Sequence, residues 1–349
     1  MKKLWRLLIS TMLITMIIFN LGGCGKNTPT KDTYESDKQV ESQSTDKESK
    51  DSDKVEEKDN DDKDNNKQET VWIEKTTYPL TITDQYGEEV IIEEEPQTII
   101  SISPELTEII FHLESGDKLI GRTDFCDYPI EVENIESIGK LTEPNIEKIV
   151  DLNPDIVFTS AHVPEEAIKQ LKNQGINVVA LSAEKSFEGT YSYINTIGQV
   201  LNKNGKAYVT VKDMKDEVAT LTKAVEGKEK PTVYFVVGFG DWGHSTATGE
   251  TFLSDIIEMA GGENVAKDGT AWSYTMEQIV DKDPQIVICS NKYDMKKNIL
   301  AADGYKDLTA VKEGRLYETD ENIFYRQTPR LVEGLKNLIK IIHPEVEIN

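Results

Sequence analysis

The chain has 349 residues, with 63 Asp and Glu against 39 Lys and Arg, and a formal net charge of −24. This acidic excess excludes nucleic acid and anionic lipid surfaces as expected ligands, because both carry negative charge. With 38% hydrophobic residues the chain can build a core, but four histidines offer little for a site made of several of them.

The first 24 residues have the features of a secretory signal. Lys2, Lys3 and Arg6 precede an uncharged apolar run over residues 7–19, which is too short for a comfortable membrane span. The run leads to Leu-Gly-Gly-Cys at Cys24, which resembles the bacterial lipobox, whose cysteine is lipidated and becomes the first residue after cleavage. We therefore expect a lipid anchor at Cys24, the alternative being an uncleaved anchor with an incidental cysteine. Both place the body of the protein outside the cytoplasm, tethered to a membrane.

The segment that follows, residues 25–75, is predicted to be a disordered tether. Up to residue 70 it contains nine Lys and fifteen Asp and Glu among Ser, Asn, Gln and Thr. So few apolar side chains cannot offset the entropy lost when a backbone is ordered. A flexible spacer between membrane and folded part explains this composition without any binding partner.

Predicted strands and helices alternate along the rest of the chain. Before residue 203 the patterns predict a hairpin over 76–92, strands over 98–102, 118–121, 156–159 and 177–181, and helices over 104–113, 146–152, 164–174 and 188–201. After residue 227 they predict strands over 232–237, 286–290 and 316–318, and helices over 251–260, 276–281 and 330–342. This order indicates a parallel sheet in each half.

Residues 203–227 between the two halves are predicted to form one long amphipathic helix. Its apolar positions follow alternating steps of four and three, and they are Ala207, Val211, Met214, Val218, Leu221 and Val225. Gly227 provides a stop. A helix of roughly 35 Å is too long for an ordinary crossover, so we interpret it as a strut between two lobes. The alternative is a surface helix within a single domain.

A repeat supports the two-lobe interpretation. The run EKIVDLNPDIVF from Glu147 is matched without a gap by EQIVDKDPQIVI from Glu277, one copy on each side of the long helix. Each copy predicts a short helix, a proline that ends it and a buried strand. Such connectors are frequent in α/β proteins, so a chance match is the alternative. Carboxylates at equivalent places on two lobes suit a two-fold partner that carries arginines.

Further motifs resemble one family of proteins. They are GRTDFCDYP from Gly121, IGKL from Ile138 with NIEKIV from Asn145, and RQTPR from Arg326. Together with the lipobox and acidic spacer, they resemble the helical-backbone (cluster A, class III) solute-binding lipoproteins of ABC importers for vitamin B12, ferric siderophores or haem. The resemblance implies two α/β lobes with parallel sheets, joined by one long rigid helix, and a ligand cleft between them. The corresponding boundaries are 76–202, 203–227 and 228–349.

The resemblance also implies partners and a function. In this family one Glu on each lobe docks into arginine pockets of a dimeric permease with ATPase subunits, and by motif these positions are Glu147 and Glu277. The expected function is capture of a metal chelate, either a ferric siderophore or a cobalamin-type corrinoid, by a monomeric receptor that needs no resident cofactor. A haem or free metal-ion receptor is the alternative within the importer class.

The expected ligand contacts combine aromatic and cationic side chains. Aromatic faces suit a bulky macrocycle, and arginine and tyrosine suit an anionic siderophore. The residues expected to contact ligand are Phe125, Arg122, Trp242, Trp272, Tyr274, Tyr325 and Arg326. Leu141 and Ser160 stand where the vitamin B12 binder's motif has tryptophans, which weakens direct transfer of a corrinoid site. Core packing of the aromatics, and local salt bridges of the arginines, are the alternatives.

Other classes of function find little support. Residues 238–243 fit the dinucleotide pattern G-x-G-x-x-G, but the sequence after them resembles a loop where that motif requires a helix. No protein metal site is expected, although His162 and His244 lie on loops at strand ends. An extracytoplasmic enzyme on the same fold is the alternative outside the class, but the common hydrolase and P-loop patterns are absent. Cys126 and Cys289 are expected to be free thiols, with a disulfide between the lobes as the alternative.

Overall fold

The structure is a computed structural model, and it describes residues 52–56, 70–182, 186–240 and 243–348. Within these ranges, the strands before residue 182 are β1 (Ser52–Glu56), β2 (Thr70–Glu74), β3 (Leu80–Thr83), β4 (Glu89–Ile92), β5 (Ile99–Ile102), β6 (Leu119–Arg122), β7 (Gly139–Lys140), β8 (Glu143–Pro144), β9 (Ile156–Ser160) and β10 (Val178–Leu181). The helices before residue 225 are α1 (Pro104–His112), α2 (Ile146–Leu152), α3 (Glu165–Asn173), α4 (Phe187–Val200) and α5 (Asn204–Ala224).

The remaining elements follow the long helix α5. The strands are β11 (Thr232–Gly238), β12 (Ser245–Thr246), β13 (Glu263–Asn264), β14 (Ile286–Ser290) and β15 (Leu316–Thr319). The helices are α6 (Phe252–Met259), α7 (Met276–Lys282), α8 (Met295–Ala301), α9 (Thr309–Lys312), α10 (Glu321–Tyr325) and α11 (Leu331–Ile342). Within the described ranges, none of the helices combines the length and apolar composition needed to cross a bilayer.

The first half is built on a parallel sheet with strand order β10-β9-β5-β6. Alternate residues of β5 and β9 point to opposite faces, as the strand period of two requires. Ile99 and Phe158 pack with α1 and α4, whereas Ile100 and Val157 pack with α2 and α3. Both faces are therefore covered, and β5, β9 and β10 are apolar almost throughout.

The second half repeats this plan with small differences. Strands β13, β11, β14 and β15 are parallel neighbours, and the two-residue strand β12 adds an antiparallel edge to β11. The prediction of a parallel sheet in each half is confirmed, with β12 as the exception. Helices α8, α9 and α10 were not predicted, because four to seven residues are too few to establish a helical period where no repeat marks the unit, as it does for α2 and α7.

The long helix α5 is 21 residues long, about 32 Å at 1.5 Å per residue. It packs closely on α4, and a Cβ built on Gly198 would lie 2.5 Å from the Cβ of Ala207. Residues of α5 share one buried apolar cluster with α1 and α4 before it and α6 and α11 after it. The helix is thus embedded in a core that continues through both halves, whereas the exact domain boundaries stay a prediction.

The region before residue 76 differs in part from the prediction. The described strands β1 and β2 pair in antiparallel fashion and lie beside α5, where a disordered tether was expected. Val71, Trp72 and Ile73 are residues that favour strands, and the boundary predicted at residue 75 separated them from the folded part. The predicted signal and most of the tether lie outside the described residues. The hairpin β3-β4 is confirmed, with Gly87 at φ 77° in its turn.

Candidate functional site

The carboxyl ends of the two sheets meet at a common boundary. The loop after β6, residues 123–128, contacts the segment that follows β15 in the other half. Asn322 Nδ2 donates to Asp127 Oδ2 at 3.3 Å, and Arg326 Nη1 donates to Asp127 Oδ1 at 2.6 Å. In open α/β sheets, ligands bind at the carboxyl ends of the strands. The candidate site is therefore the cleft between these ends.

Exposed aromatic side chains lie on both sides of this cleft. Phe125, on the loop after β6, is 55% exposed, and Tyr325, at the end of α10, is also exposed. Single exposed rings are common on folded surfaces, but rings beside the carboxyl ends of strands lie where ligands bind in open α/β sheets, so their position suits a ligand surface. The structure thus places two of the predicted contact residues at the cleft, one from each half.

Trp272 and Tyr274 lie in opposite environments. Trp272 is exposed, has a φ of 60°, and its carbonyl accepts from the Thr246 amide at 2.9 Å, which holds it beside β12 at the end of β11. Tyr274 is 2% exposed, and its hydroxyl donates to Asp268 Oδ1 at 2.9 Å. The expected ligand contact by Tyr274 is therefore corrected: its side chain packs in a buried apolar cluster of the second half.

Tyr293 is a candidate that the sequence reasoning missed. It follows β14, is 78% exposed and has a φ of 59°, in the left-handed region that costs a non-glycine residue energy. Asn298 Nδ2 donates to the Tyr293 carbonyl at 3.2 Å and holds this backbone in place. The available signal was its position, three residues after a predicted buried strand, where a cleft residue is expected.

Arg326 does not point freely into the cleft, as was expected, but belongs to an ion cluster made of Glu108, Asp127, Arg326 and Arg330, in which Glu108 and Arg326 are buried and Asp127 is exposed. Arg326 Nη1 donates to Glu108 Oε1 at 2.9 Å, and Arg330 donates to both Glu108 oxygens at 2.9 Å. Arg330 also stacks over the Tyr128 ring, 4.0 Å from its centroid. The guanidinium is therefore committed to protein partners, and a ligand can reach it only by displacing them.

The charges in the ion cluster support one another. Burial alone raises the pKa of Asp127, but the hydrogen bond and charge of Arg326 outweigh it and hold that pKa below its usual value. Burial likewise opposes the charge on Arg326, and its two carboxylate partners raise its pKa in compensation. A groove of about 410 Å³ adjoins the ion cluster, with Glu108, Tyr128 and Arg330 among its walls.

Arg122 is the second arginine predicted to contact ligand. It ends β6 and is partly exposed, and its Nη1 donates to the Thr123 carbonyl at 3.0 Å. Its buried Nε has no hydrogen-bond partner in the structure. An unsatisfied donor at a strand end is suited to an acceptor oxygen of a ligand.

Glu147 and Glu277 occupy equivalent positions in two matching units. Each is the second residue of a seven-residue helix, α2 or α7, and each is exposed. Both helices have a side-chain cap, from Asn145 or Thr275, and both end at a residue in the left-handed conformation before a fully buried strand. The repeat is therefore structural, and each lobe presents a carboxylate in the same local frame.

The remaining predicted groups are placed as follows. His244 packs edge-on against Tyr305, its Nδ1 lies 3.2 Å from the Tyr305 hydroxyl, and burial lowers its pKa. His162 is exposed on the loop after β9. Across the described part of the chain, no group of three or more His, Cys, Asp or Glu could hold a metal ion. Cys126 and Cys289 are free buried thiols, as expected, and Trp242 and Cys24 lie outside the described residues.

The glycine-rich segment after β11 does not form a dinucleotide site. The first described element after Gly243 is strand β12, which pairs antiparallel with β11. The dinucleotide fingerprint requires a helix at this point, whose N-terminus binds the pyrophosphate. The dinucleotide-binding alternative is therefore excluded.

Comparisons with known proteins agree with this architecture. Residues 99–323 match the family described as periplasmic binding protein. The chain is 33% identical over 275 residues to the ABC transporter substrate-binding lipoprotein YvrC of Bacillus subtilis, which covers 77% of this chain and 87% of the relative. It is 28% identical over 280 residues to a cobalamin-binding protein of Halobacterium salinarum, covering 76% and 75%.

A solved structure shows the same fold. A possible iron-binding periplasmic solute-binding protein from Staphylococcus epidermidis superposes with a TM-score of 0.64 at 27% identity, covering 72% of this chain and 100% of that one. The two sheets, the long helix between them and the matched family segment agree with one another. The chain belongs to the periplasmic binding protein family, whose relatives include the substrate-binding proteins of ABC transporters.

Proposed function

We propose that this protein is the extracytoplasmic receptor of an ABC importer and that its cargo is a metal chelate of the corrinoid type. The observation that carries the proposal is the set of exposed aromatic side chains at the strand ends, namely Phe125, Trp272, Tyr293 and Tyr325. Broad apolar faces with few charges suit a flat, bulky macrocycle. The names of relatives from Halobacterium salinarum and Vibrio parahaemolyticus, which include cobalamin and vitamin B12, support the same cargo.

A ferric siderophore is the second candidate. Arg122 favours it, because its unpartnered Nε lies at a strand end where it could donate to an anionic chelate. The commitment of Arg326 to Glu108 and Asp127 argues against it, because the cleft then has one cation fewer to offer.

The proposal extends to delivery and location. The chelate is carried as cargo, without a resident cofactor, by a monomer that is anchored through a lipidated Cys24. Glu147 and Glu277 dock into a dimeric permease with its ATPase subunits, because two equivalent carboxylates match a two-fold set of arginines. Replacement of Cys24 by Ser is expected to move the protein from the membrane fraction to the medium or periplasm, whereas an unchanged distribution contradicts the lipid anchor.

The decisive experiment is a calorimetric titration of the purified chain with cyanocobalamin, haemin, a ferric hydroxamate and a ferric catecholate. We expect cyanocobalamin to bind, and at 100 times its Kd to stabilise the folded state by about 2.7 kcal/mol. Binding of a ferric siderophore instead would replace the corrinoid proposal by the second candidate. Turnover of any of these compounds would contradict a receptor without enzymatic activity.

A further inference from the structure

The ion cluster joins segments that are remote in the chain. Glu108 comes from α1, and Asp127 from the loop after β6, both in the first half. Arg326 and Arg330 come from the connection between α10 and α11 in the second half, about 200 residues later. The cluster is therefore a bond between the two halves at the edge of the cleft.

This bond is balanced in charge and buried in part. Glu108 is 4% exposed and Arg326 is 9% exposed, whereas the Asp127 side chain is half exposed, and two carboxylates face two guanidinium groups. Arg330 donates from two nitrogens to the Glu108 carboxylate, and Arg326 donates to both Glu108 and Asp127. A buried pair of this kind is strongly perturbed when one partner is lost, because the other is left as an uncompensated charge.

The same arginine also holds the backbone of an aromatic cleft residue. Arg326 Nη2 donates to the Phe125 carbonyl at 3.2 Å, two residues before the Asp127 carboxylate that Nη1 contacts. Between them, Cys126 Sγ lies 3.2 Å from Thr107 Oγ1 and 3.3 Å from Thr123 Oγ1, so the loop is also fastened to its own half. The backbone is held from both sides while the Phe125 ring stays 55% exposed.

We propose that Arg326 is a positioning residue for ligand binding, which acts across the lobe boundary by fixing the loop that carries Phe125. The inference rests on the proposed function for its ligand but not for its geometry. It assigns to Arg326 a role different from ligand contact. The side chain holds the Phe125 loop in place by donating to the Phe125 carbonyl and to Asp127. A guanidinium is needed because it serves three acceptors in one plane, which an ammonium cannot reproduce.

The first test needs no ligand. Amide hydrogen exchange over residues 123–128 is measured in the full chain and in Arg326→Lys and Asp127→Asn. We expect exchange in this loop to accelerate by about tenfold or more in Arg326→Lys, because a lysine cannot reproduce the three hydrogen bonds of the guanidinium. In Asp127→Asn we expect a smaller acceleration, because the Asp127 carboxylate is half exposed. Exchange in β9 and β14 is expected to be unchanged. The matched control is Arg315→Lys, whose ion pair with Glu313 lies on the surface, and it should leave the loop unaffected.

The second test is a double-mutant cycle on affinity, with cyanocobalamin and haemin as probes. Arg326→Lys should weaken binding by about tenfold when Phe125 is present and by less than about twofold in a Phe125→Ala background, because the effect passes through that ring. Equal losses in both backgrounds would show direct contact or general destabilisation and would overturn the inference. Unchanged loop exchange would overturn it too. If neither probe binds the unaltered chain, the ligand proposal fails, and the exchange measurement still decides the role of Arg326.

Discussion

At the scale of single residues, the cleft is made by a few backbone positions that point rings outward. Trp272 and Tyr293 both have positive φ angles and both are exposed, although large side chains rarely adopt this conformation. Backbone strain of this kind tends to persist at ligand clamps, where surrounding contacts enforce it. We take the coincidence of strain, exposure and location at strand ends as the mark of the ligand surface.

Removal of a cleft ring should weaken binding without unfolding the protein. We expect Phe125→Ala and Tyr293→Ala each to reduce affinity for the cognate chelate by about tenfold, since a lost aromatic contact amounts to about 1–2 kcal/mol. Calorimetry measures the affinity and thermal unfolding monitors the fold. Tyr86→Ala is the control, because this tyrosine is exposed on the β3-β4 turn beside β10, at the opposite edge of the first sheet from β6 and the Phe125 loop. If Phe125→Ala and Tyr293→Ala bind the chelate as tightly as the Tyr86→Ala control does, the site lies elsewhere.

His112 gives the stability of the protein a predictable dependence on pH. Its Nε2 lies 3.0 Å from Thr210 Oγ1 of α5, and burial together with the Lys206 charge lowers its pKa from 6.5. The folded state therefore binds this proton less readily than the unfolded state does. The contribution of neutral His112 to the free energy of unfolding is complete above pH 6.5. It is lost as the pH falls from 6.5 through the lowered pKa of the folded state.

The corresponding variant is His112→Gln, which can keep the hydrogen bond to Thr210 but does not titrate. We expect its unfolding free energy, measured by denaturant titration between pH 8 and 5, to fall less steeply below pH 6.5 than that of the unaltered chain. A steeper fall in the variant would mean that the histidine is protonated in the folded state.

How well the sequence predicted these residues depended on what each prediction required. Phe125 and Tyr325 were predicted from motif and residue type; both are exposed, after β6 and at the end of α10, and their contact with ligand stays a prediction. Tyr274 was not placed correctly, because two neighbouring aromatics in one loop give no signal of which one faces the core. The partners of Arg326 could not be predicted, because a chain with 63 Asp and Glu offers too many acidic candidates for the sequence to identify Glu108 and Asp127.

At the scale of elements, the two units that carry α2 and α7 are the most informative feature. The repeat predicted a short helix, a stop and a buried strand in each, and the structure gives all three. The prediction succeeded because proline and strand-forming residues act locally. The capping box of α7, in which Thr275 and Gln278 bond each other's backbone amides, fixes the start of the helix and with it the first turn that carries Glu277.

Charge reversal on these helices should separate delivery from capture. We expect Glu147→Lys with Glu277→Lys to abolish uptake of labelled chelate in cells that depend on this protein, since the two contacts that we propose with arginines of the permease would become repulsive. Ligand affinity in solution should stay within about twofold, because neither carboxylate is among the side chains assigned to the ligand surface. Glu166→Lys with Glu263→Lys is the control for net charge, as both are exposed elsewhere. Uptake that survives the first pair refutes the docking assignment.

The contact between α4 and α5 depends on one missing methyl group. Gly198→Ala should destabilise the fold by about 1–3 kcal/mol, because the new Cβ overlaps Ala207. Moving the methyl group, in the double variant Gly198→Ala with Ala207→Gly, should recover part of this loss. Denaturant unfolding of both single variants and the double variant completes the cycle. Additive effects would show that the two helices do not meet as tightly as described.

At the scale of the whole molecule, the long helix and the ion cluster restrict the motion of the two halves. A continuous helix resists large hinge bending, and its apolar face belongs to a core shared by both halves. The prediction of two lobes from the repeat agrees with the two sheets, whereas the shared core could not be foreseen. Burial of one cluster across α1, α4, α5 and α11 depends on tertiary packing, which periodicity in separate segments does not encode.

The response to ligand should accordingly be small. We expect small-angle scattering profiles of the free and ligand-saturated protein to superimpose, with a change in radius of gyration of less than about 1 Å, as for interfaces that move little on binding. Arg326→Lys serves as the comparison, since this variant loses the ion cluster and keeps only the long helix α5 as a restraint on the two halves. A marked compaction of the unaltered chain would show that α5 does not hold the halves apart.

The equivalence of α2 and α7 has a consequence for recognition by a symmetric partner. Under the docking proposed above, a receptor with the same carboxylate in the same local frame on each half would present two equivalent docking points. A two-fold permease would then accept it in two orientations related by a half turn, which would double the number of productive encounters and contribute RT ln 2, about 0.4 kcal/mol. Docking through these two points would not distinguish the orientations, so any polarity of the cargo would have to be read within the cleft.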